Sequence, residues 1–127
     1  MILLRRFEPY AYTLLRIAAG FLFMSHGLQK IFGLFGGRPV SVLSLLGAAG
    51  IIETIGGALI MLGLATAPVA LICSGEMAYA YFTSHLPRGT WPILNRGEPA
   101  ALFAFIFLYI ATRGSGSFSV EGAGRKR

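Results

Sequence analysis

Four stretches of this chain, at about 12–32, 42–64, 68–86 and 93–113, carry few charges over lengths close to those needed to cross a bilayer. A helix spans roughly 30 Å of hydrocarbon with about 20 apolar residues, and the first three stretches reach that length. The fourth is continuously apolar only from about Pro99 to Arg113, so it must draw in Ile93 and Leu94 from upstream. Lipid offers no hydrogen bonds, so a spanning segment has to satisfy its own backbone, which long unbroken apolar runs do as helices. The expected fold is therefore all-α: an antiparallel four-helix transmembrane bundle, one domain over residues 1–127, ending in a basic tail at 114–127. Composition agrees, with 55% hydrophobic and 13% charged residues against about 25% charged in ordinary soluble domains.

The connections set the topology. "ATAP" between the second and third stretches is a tight turn with Pro68 suited to a helix start, which makes those two helices antiparallel neighbours. "GLFGGRPVS" and "LPRGTWPILNRGE" are longer, rich in Gly and Pro, and fall together on the opposite side. Arg5, Arg6, Arg113, Arg125, Lys126 and Arg127 lie at the two ends, against Lys30, Arg38, Arg88 and Arg96 on the other side. The positive-inside rule then puts both termini in the cytoplasm. The net charge of +6 comes from residues spread over loops and ends, a pattern that suits lipid head groups and not nucleic acid. Tyr10, Tyr12 and Trp91 sit where an interfacial aromatic belt belongs. "MILLRRFEPY" does not fit a cleaved signal peptide, so the first stretch is expected to remain as a span.

Against this apolar background the ionisable residues stand out. Glu53 lies in "GIIETIGGALIMLGL", where Gly50 and Gly57 share its helical stripe and Gly56 lies beside it, so it should face a close helix interface. Glu76 repeats the pattern mid-way along the third stretch. In the first stretch Arg16 lies about one turn inside the cytoplasmic edge, and His26 follows further across with Gln29 and Lys30 on its face. A rise of about 1.5 Å per residue puts Arg16 roughly 6 Å deep, Glu76 roughly 12 Å, Glu53 roughly 16 Å and His26 roughly 21 Å. A charge at the bilayer centre costs about 2.5 to 3.5 kcal/mol on insertion scales, so these groups need partners.

Two readings of that need stand side by side. Arg16 paired with Glu53 or Glu76 is either an ion pair that fixes helix register or part of a site for a ligand or a proton. His26 is either an interfacial histidine bonded to a carbonyl or to Gln29, or a functional group. His85 in "TSHLPR" reads as interfacial, and Glu98 with Asn95 reads as a capping box before Pro99. The single cysteine, Cys73, excludes an internal disulfide and reads as a small core residue. No His or Cys pair recurs at metal-binding spacing.

The order of motifs resembles that of the DoxX family of small four-helix membrane proteins over nearly the whole chain. "LLRIAAGFLFMSHGLQKIFG" carries the family's early Arg, Phe, His-Gly and Lys as Arg16, Phe21 or Phe23, His26, Gly27 and Lys30. Gly50, Glu53, Gly56 and Gly57 match its second-helix Gly-x-x-Glu and Gly-Gly. Its Asn-Gly-Glu appears as Asn95, Gly97 and Glu98 with Arg96 inserted. Its terminal Gly-x-Gly and Ser-x-Asp appear as Gly114, Gly116, Ser119 and Glu121, with the final acid changed. The resemblance implies a bacterial or archaeal inner-membrane protein that works with redox systems, among them quinone-linked ones.

Three functions follow as expectations. The first is a quinone-interacting or anchoring subunit of a membrane redox complex. In that reading His26 or Tyr79 donates to a quinone carbonyl, Glu53 supplies protons, and Arg16 and Glu76 complete the polar site. The second is a purely structural accessory subunit. The third is a small proton-coupled carrier using Glu53 and Glu76, although neither internal repeats nor broken helices are read here. No haem, flavin or cluster motif is present, so electrons would have to come through a partner subunit or a bound quinone. The expected partners are the lipid bilayer and either other subunits or further copies of the chain.

Overall fold

The computed structural model describes residues 1–125. Lys126 and Arg127, counted above among the basic residues of the tail, lie outside the described residues. Among those described, every regular element is a helix. A single turn, α1 (Ile2–Arg5), precedes the long α2 (Glu8–Phe32); α3 (Leu45–Leu62) and α4 (Thr66–Ala80) follow. α4 then widens into a π-helical turn at Tyr81–His85 and tightens into a 3₁₀ turn at Leu86–Arg88. The short α5 (Pro92–Asn95), the long α6 (Glu98–Arg113) and a terminal α7 (Val120–Arg125) complete the chain.

The helix ends follow from their residues. Gly33 and Gly63 stop α2 and α3 in the left-handed conformation, at φ 70° and 73°, and each returns its N–H to carbonyls of the preceding turn. Ser44 starts α3 by accepting the N–H of Gly47 at 3.0 Å. By length and composition, α3 is the one described helix long and apolar enough to cross a membrane. α2 has 25 residues but carries Glu8, Arg16 and Lys30, while α4 and α6 have 15 and 16. The fourth apolar stretch is not continuous: Arg96, at φ 61°, breaks it into α5 and α6.

α2 packs along α3 and α4 along α6. The α2–α3 contact is built on glycine. A Cβ on Gly20 would lie 2.7 Å from the carbonyl oxygen of Gly57, and one on Gly57 would lie 2.6 Å from that of Gly20. Seven residues along, a Cβ on Gly27 would lie 2.8 Å from the oxygen of Gly50. The residues pair in opposite order along the two helices, and the backbones approach as closely as small residues permit. Gly56 faces α4 instead, against the sulfur of Cys73. The two pairs of helices are joined by rings: Phe23 of α2 meets Phe107 of α6 with centroids 4.7 Å apart, and Phe103 stacks on Phe107 at 5.6 Å. Phe23, Ile60, Cys73, Phe107 and Ile110 are fully buried. Leu14, Phe21, Ile55, Leu71 and Phe105 point outward.

The tail is not a loose basic extension. Tyr12 donates its hydroxyl to the carbonyl of Gly114, and Arg113 reaches Glu8 through a forked pair of bonds at 2.7 and 2.8 Å. α7 folds back onto the turn between α3 and α4, where the N–H of Glu121 bonds the carbonyl of Gly63 at 3.2 Å.

Candidate functional site

At the end of the molecule away from that tail, helices α2, α3, α4 and α6 enclose a cavity of about 360 Å³. α2 presents Phe23, His26 and Lys30, and α3 presents Leu46, Ala49 and Glu53; both sets are spaced i, i+3, i+7, a single helical face. α4 adds Glu76 and Ala80, the π-helical turn adds Ser84 and His85, and α6 adds Ala100 and Phe103. Arg96 closes the set from the break before α6.

Glu53 is 1% exposed. Its Oε1 accepts from Lys30 Nζ at 2.6 Å, and its Oε2 is buried with no hydrogen-bond partner. The carboxyl group of Glu76 adjoins that of Glu53, and its Oε2 is also buried and unpartnered. His26 lies more openly, its ring edge-on to Phe103 at 6.4 Å. His85 Nδ1 lies 3.1 Å from the carbonyl oxygen of Asn95, and its ring stacks on Tyr81. Donors and acceptors thus converge on one space walled by phenylalanine and alanine. Buried polar atoms ordinarily have partners, so two adjoining buried carboxyl groups call for a proton shared between them or for a further donor.

Asn95 holds the rim. It is 1% exposed; its amide donates to Gly89 O at 2.9 Å and to the Tyr81 hydroxyl at 3.3 Å, and its Oδ1 accepts from Gly97 N at 2.8 Å. The last bond is an Asx turn two residues on, in place of the capping box with Glu98 that the spacing suggested. It leaves Arg96 in the left-handed region, a conformation that non-glycine residues seldom adopt.

The residues singled out in the sequence do not all come together. His26, Glu53 and Glu76 line the one cavity. Tyr79 is 55% exposed and points into a separate cleft between α3 and α4. Arg16 pairs with neither glutamate. It is 1% exposed and donates only to carbonyls: Ile60 at 2.9 Å and Met61 at 3.3 Å in the last turn of α3, Phe118 at 2.9 Å, and Ser115. The negative end of the α3 dipole and the folded-back tail replace the carboxylate as its partners. The ion pair with Glu53 goes to Lys30, one turn beyond His26 on the same face. His85 and Arg96, read from sequence as interfacial and loop residues, reach the cavity through the π-helical turn and the left-handed break, which no periodic pattern announces.

The family model described as DoxX matches residues 11–86, which contain Arg16, His26, Lys30, Glu53 and Glu76. The chain belongs to the DoxX family. It is a membrane protein of that family. A Haemophilus influenzae protein carrying only the description "Uncharacterized protein" is 38% identical to this DoxX chain over 125 residues, covering 93% of each. No solved structure matches the chain.

Proposed function

We propose that this DoxX protein crosses the cytoplasmic membrane as an antiparallel four-helix bundle with both termini in the cytoplasm, and that its polar cavity receives a quinone head group as a subunit of a membrane redox complex. The observation that carries this reading is the cavity itself, where Lys30, His26, Glu53 and Glu76 meet and two buried carboxylate oxygens lack partners. α2, α3, the α4 segment continued through its π and 3₁₀ turns, and α6 extended by α5 serve as the four crossings. The outward-facing Leu14, Phe21, Ile55, Leu71 and Phe105 suit lipid contact.

The chemistry matches the two forms of such a ligand. Quinone oxygens only accept hydrogen bonds, and Lys30, His26 and Arg96 donate. Quinol hydroxyls donate, and the carboxylate oxygens of Glu53 and Glu76 accept. Reduction of a quinone to its quinol consumes two electrons and two protons. The carboxyl groups exchange the protons, and the electrons come from a redox centre in a partner subunit, since the sequence carries no haem, flavin or cluster motif. Phe23 and Phe103 give the ring an aromatic wall.

Binding of a quinone with a short side chain to the protein in lipid nanodiscs tests the reading. Saturable binding is expected, weakened at least about tenfold by Glu53→Gln and by His26→Ala, with both variants still folded. Absence of saturable binding to the unmodified protein, or unchanged affinity in both variants, would refute it.

A further inference from the structure

We infer that the polar cavity is entered sideways from the bilayer through the cleft between α3 and α4, so that its occupant is an amphiphile whose apolar tail lies in that cleft while its head group sits in the polar cavity beside Glu53 and Glu76. The inference rests on the quinone reading and adds the route and the shape of the ligand.

α3 and α4 approach closely at Gly56. There a Cβ on Gly56 would lie 2.7 Å from Cys73 Sγ. Toward the π-helical turn the two helices leave a second cavity of about 430 Å³ between them. Its walls include Ile52 of α3, Ile72 and Tyr79 of α4 and Thr83 of the π-helical turn. The α4 residues 72, 76, 79 and 80 form one helical stripe. Ile72 and Tyr79 are 59% and 55% exposed, so the cleft opens on the outer surface of the molecule.

The two cavities are separated by very little. Leu46, Ala49, Glu76, Ala80 and Ser84 line both. Ala49 and Ala80 end at Cβ, and Ser84 lies in the π-helical turn, an irregularity that helices use at functional positions. Glu76 is the one charged residue common to the two spaces, so head and tail of a bound amphiphile would join beside it. The other apolar clefts lack this continuity. Neither the one between α4 and α6, at Ala104 and Phe105, nor the one at Gly56 and Leu59 shares a lining residue with the polar cavity. Placed in the α3–α4 cleft, Tyr79 is a wall of the tail channel and not a donor to the head group.

Two quinones with the same ring, one without a side chain and one with a long isoprenoid tail, separate the possibilities in nanodiscs. Ala48→Phe narrows the α3–α4 cleft at a residue that does not line the polar cavity, and Ala104→Phe is the control in the α4–α6 cleft. The expected result is at least about a tenfold loss of affinity for the tailed quinone in Ala48→Phe, with the tail-less one within about twofold of the unmodified protein. Ala104→Phe should leave both unchanged. If Ala48→Phe binds the tailed quinone like the unmodified protein, the lateral route is wrong while the quinone reading stands. If the unmodified protein binds neither, both fall. A quinone with a photoreactive group on its tail gives an answer free of folding effects. Cross-links to the peptides containing Ile52, Ile72 or Tyr79 support the route, and cross-links to Phe105 and Leu108 in their place overturn it.

Discussion

Lys30 Nζ lies 2.6 Å from Glu53 Oε1, so the buried acid of α3 is held by a lysine of α2 across a contact built from paired glycines. The two partners are unequal: the side chain of Lys30 is 27% exposed and that of Glu53 is 1%. Removing the lysine strands a buried carboxylate, which is worse than removing both charges. Lys30→Met is expected to cost about 3 kcal/mol, the lower end of the range for a broken buried pair because the ammonium keeps some water. Lys30→Met combined with Glu53→Leu should recover most of that loss. Thermal unfolding in detergent measures both. Strictly additive effects of the two substitutions would show that the pair is not coupled.

Arg16 acts at the other end of the bundle. Its guanidinium ties the last turn of α3 to the 115–118 segment through carbonyls of Ile60, Met61, Ser115 and Phe118. A planar fork reaches acceptors on several sides at once, and an ammonium does not. Arg16→Leu should therefore destabilise the fold by about 3 kcal/mol or more, with Arg16→Lys rescuing little. The loss should be local first: amide exchange should speed up across residues 114–125 before the helices around Glu53 respond. Tail protection equal to that of the unmodified chain in Arg16→Leu would remove Arg16 from this role.

Legibility of the chain in its sequence depended on whether a signal is periodic. The apolar runs announced the long helices, and Gly50 and Gly57 announced a close helix contact because small residues at helical spacing have few other uses. Their counterparts Gly20 and Gly27, with the same seven-residue spacing, carried the same signal and were open to the same reading. Glu53, Glu76 and His26 stood out as polar residues in apolar surroundings, and they line one cavity. Arg16 stood out equally, yet its acceptors are backbone carbonyls, which every residue possesses and no sequence pattern marks. A carboxylate at reachable depth was the visible partner, and the C-terminus of α3 was the actual one. His85 and Arg96 arrive by a π-helical turn and a left-handed residue, departures from regular geometry that depend on Asn95 gripping Tyr81, Gly89 and Gly97 across space.

Glu121 makes the terminal motif a structural clasp. α4 begins after Ala65, which stands at φ 48° and has no side chain able to cap the helix. Glu121 supplies the missing acceptor from 55 residues away: its Oε1 takes the N–H of Thr66 at 3.0 Å, and a carboxylate is favourable at a helix N-terminus. The acid at this position is therefore a cap, and glutamate serves because α7 sets its backbone against Gly63. Glu121→Ala should cost about 1 kcal/mol, as loss of a helix cap commonly does. Glu121→Gln keeps an acceptor and loses only the charge, so it should cost about half as much. Arg125→Ala, which removes an exposed pair at 3.5 Å, should change stability by no more than about 0.5 kcal/mol. Thermal unfolding should rank Glu121→Ala as the least stable of the three variants, with Glu121→Gln between it and Arg125→Ala. An Arg125→Ala loss as large as that of Glu121→Ala would instead make the surface pair, and not the cap on Thr66, the contact that holds the tail in place.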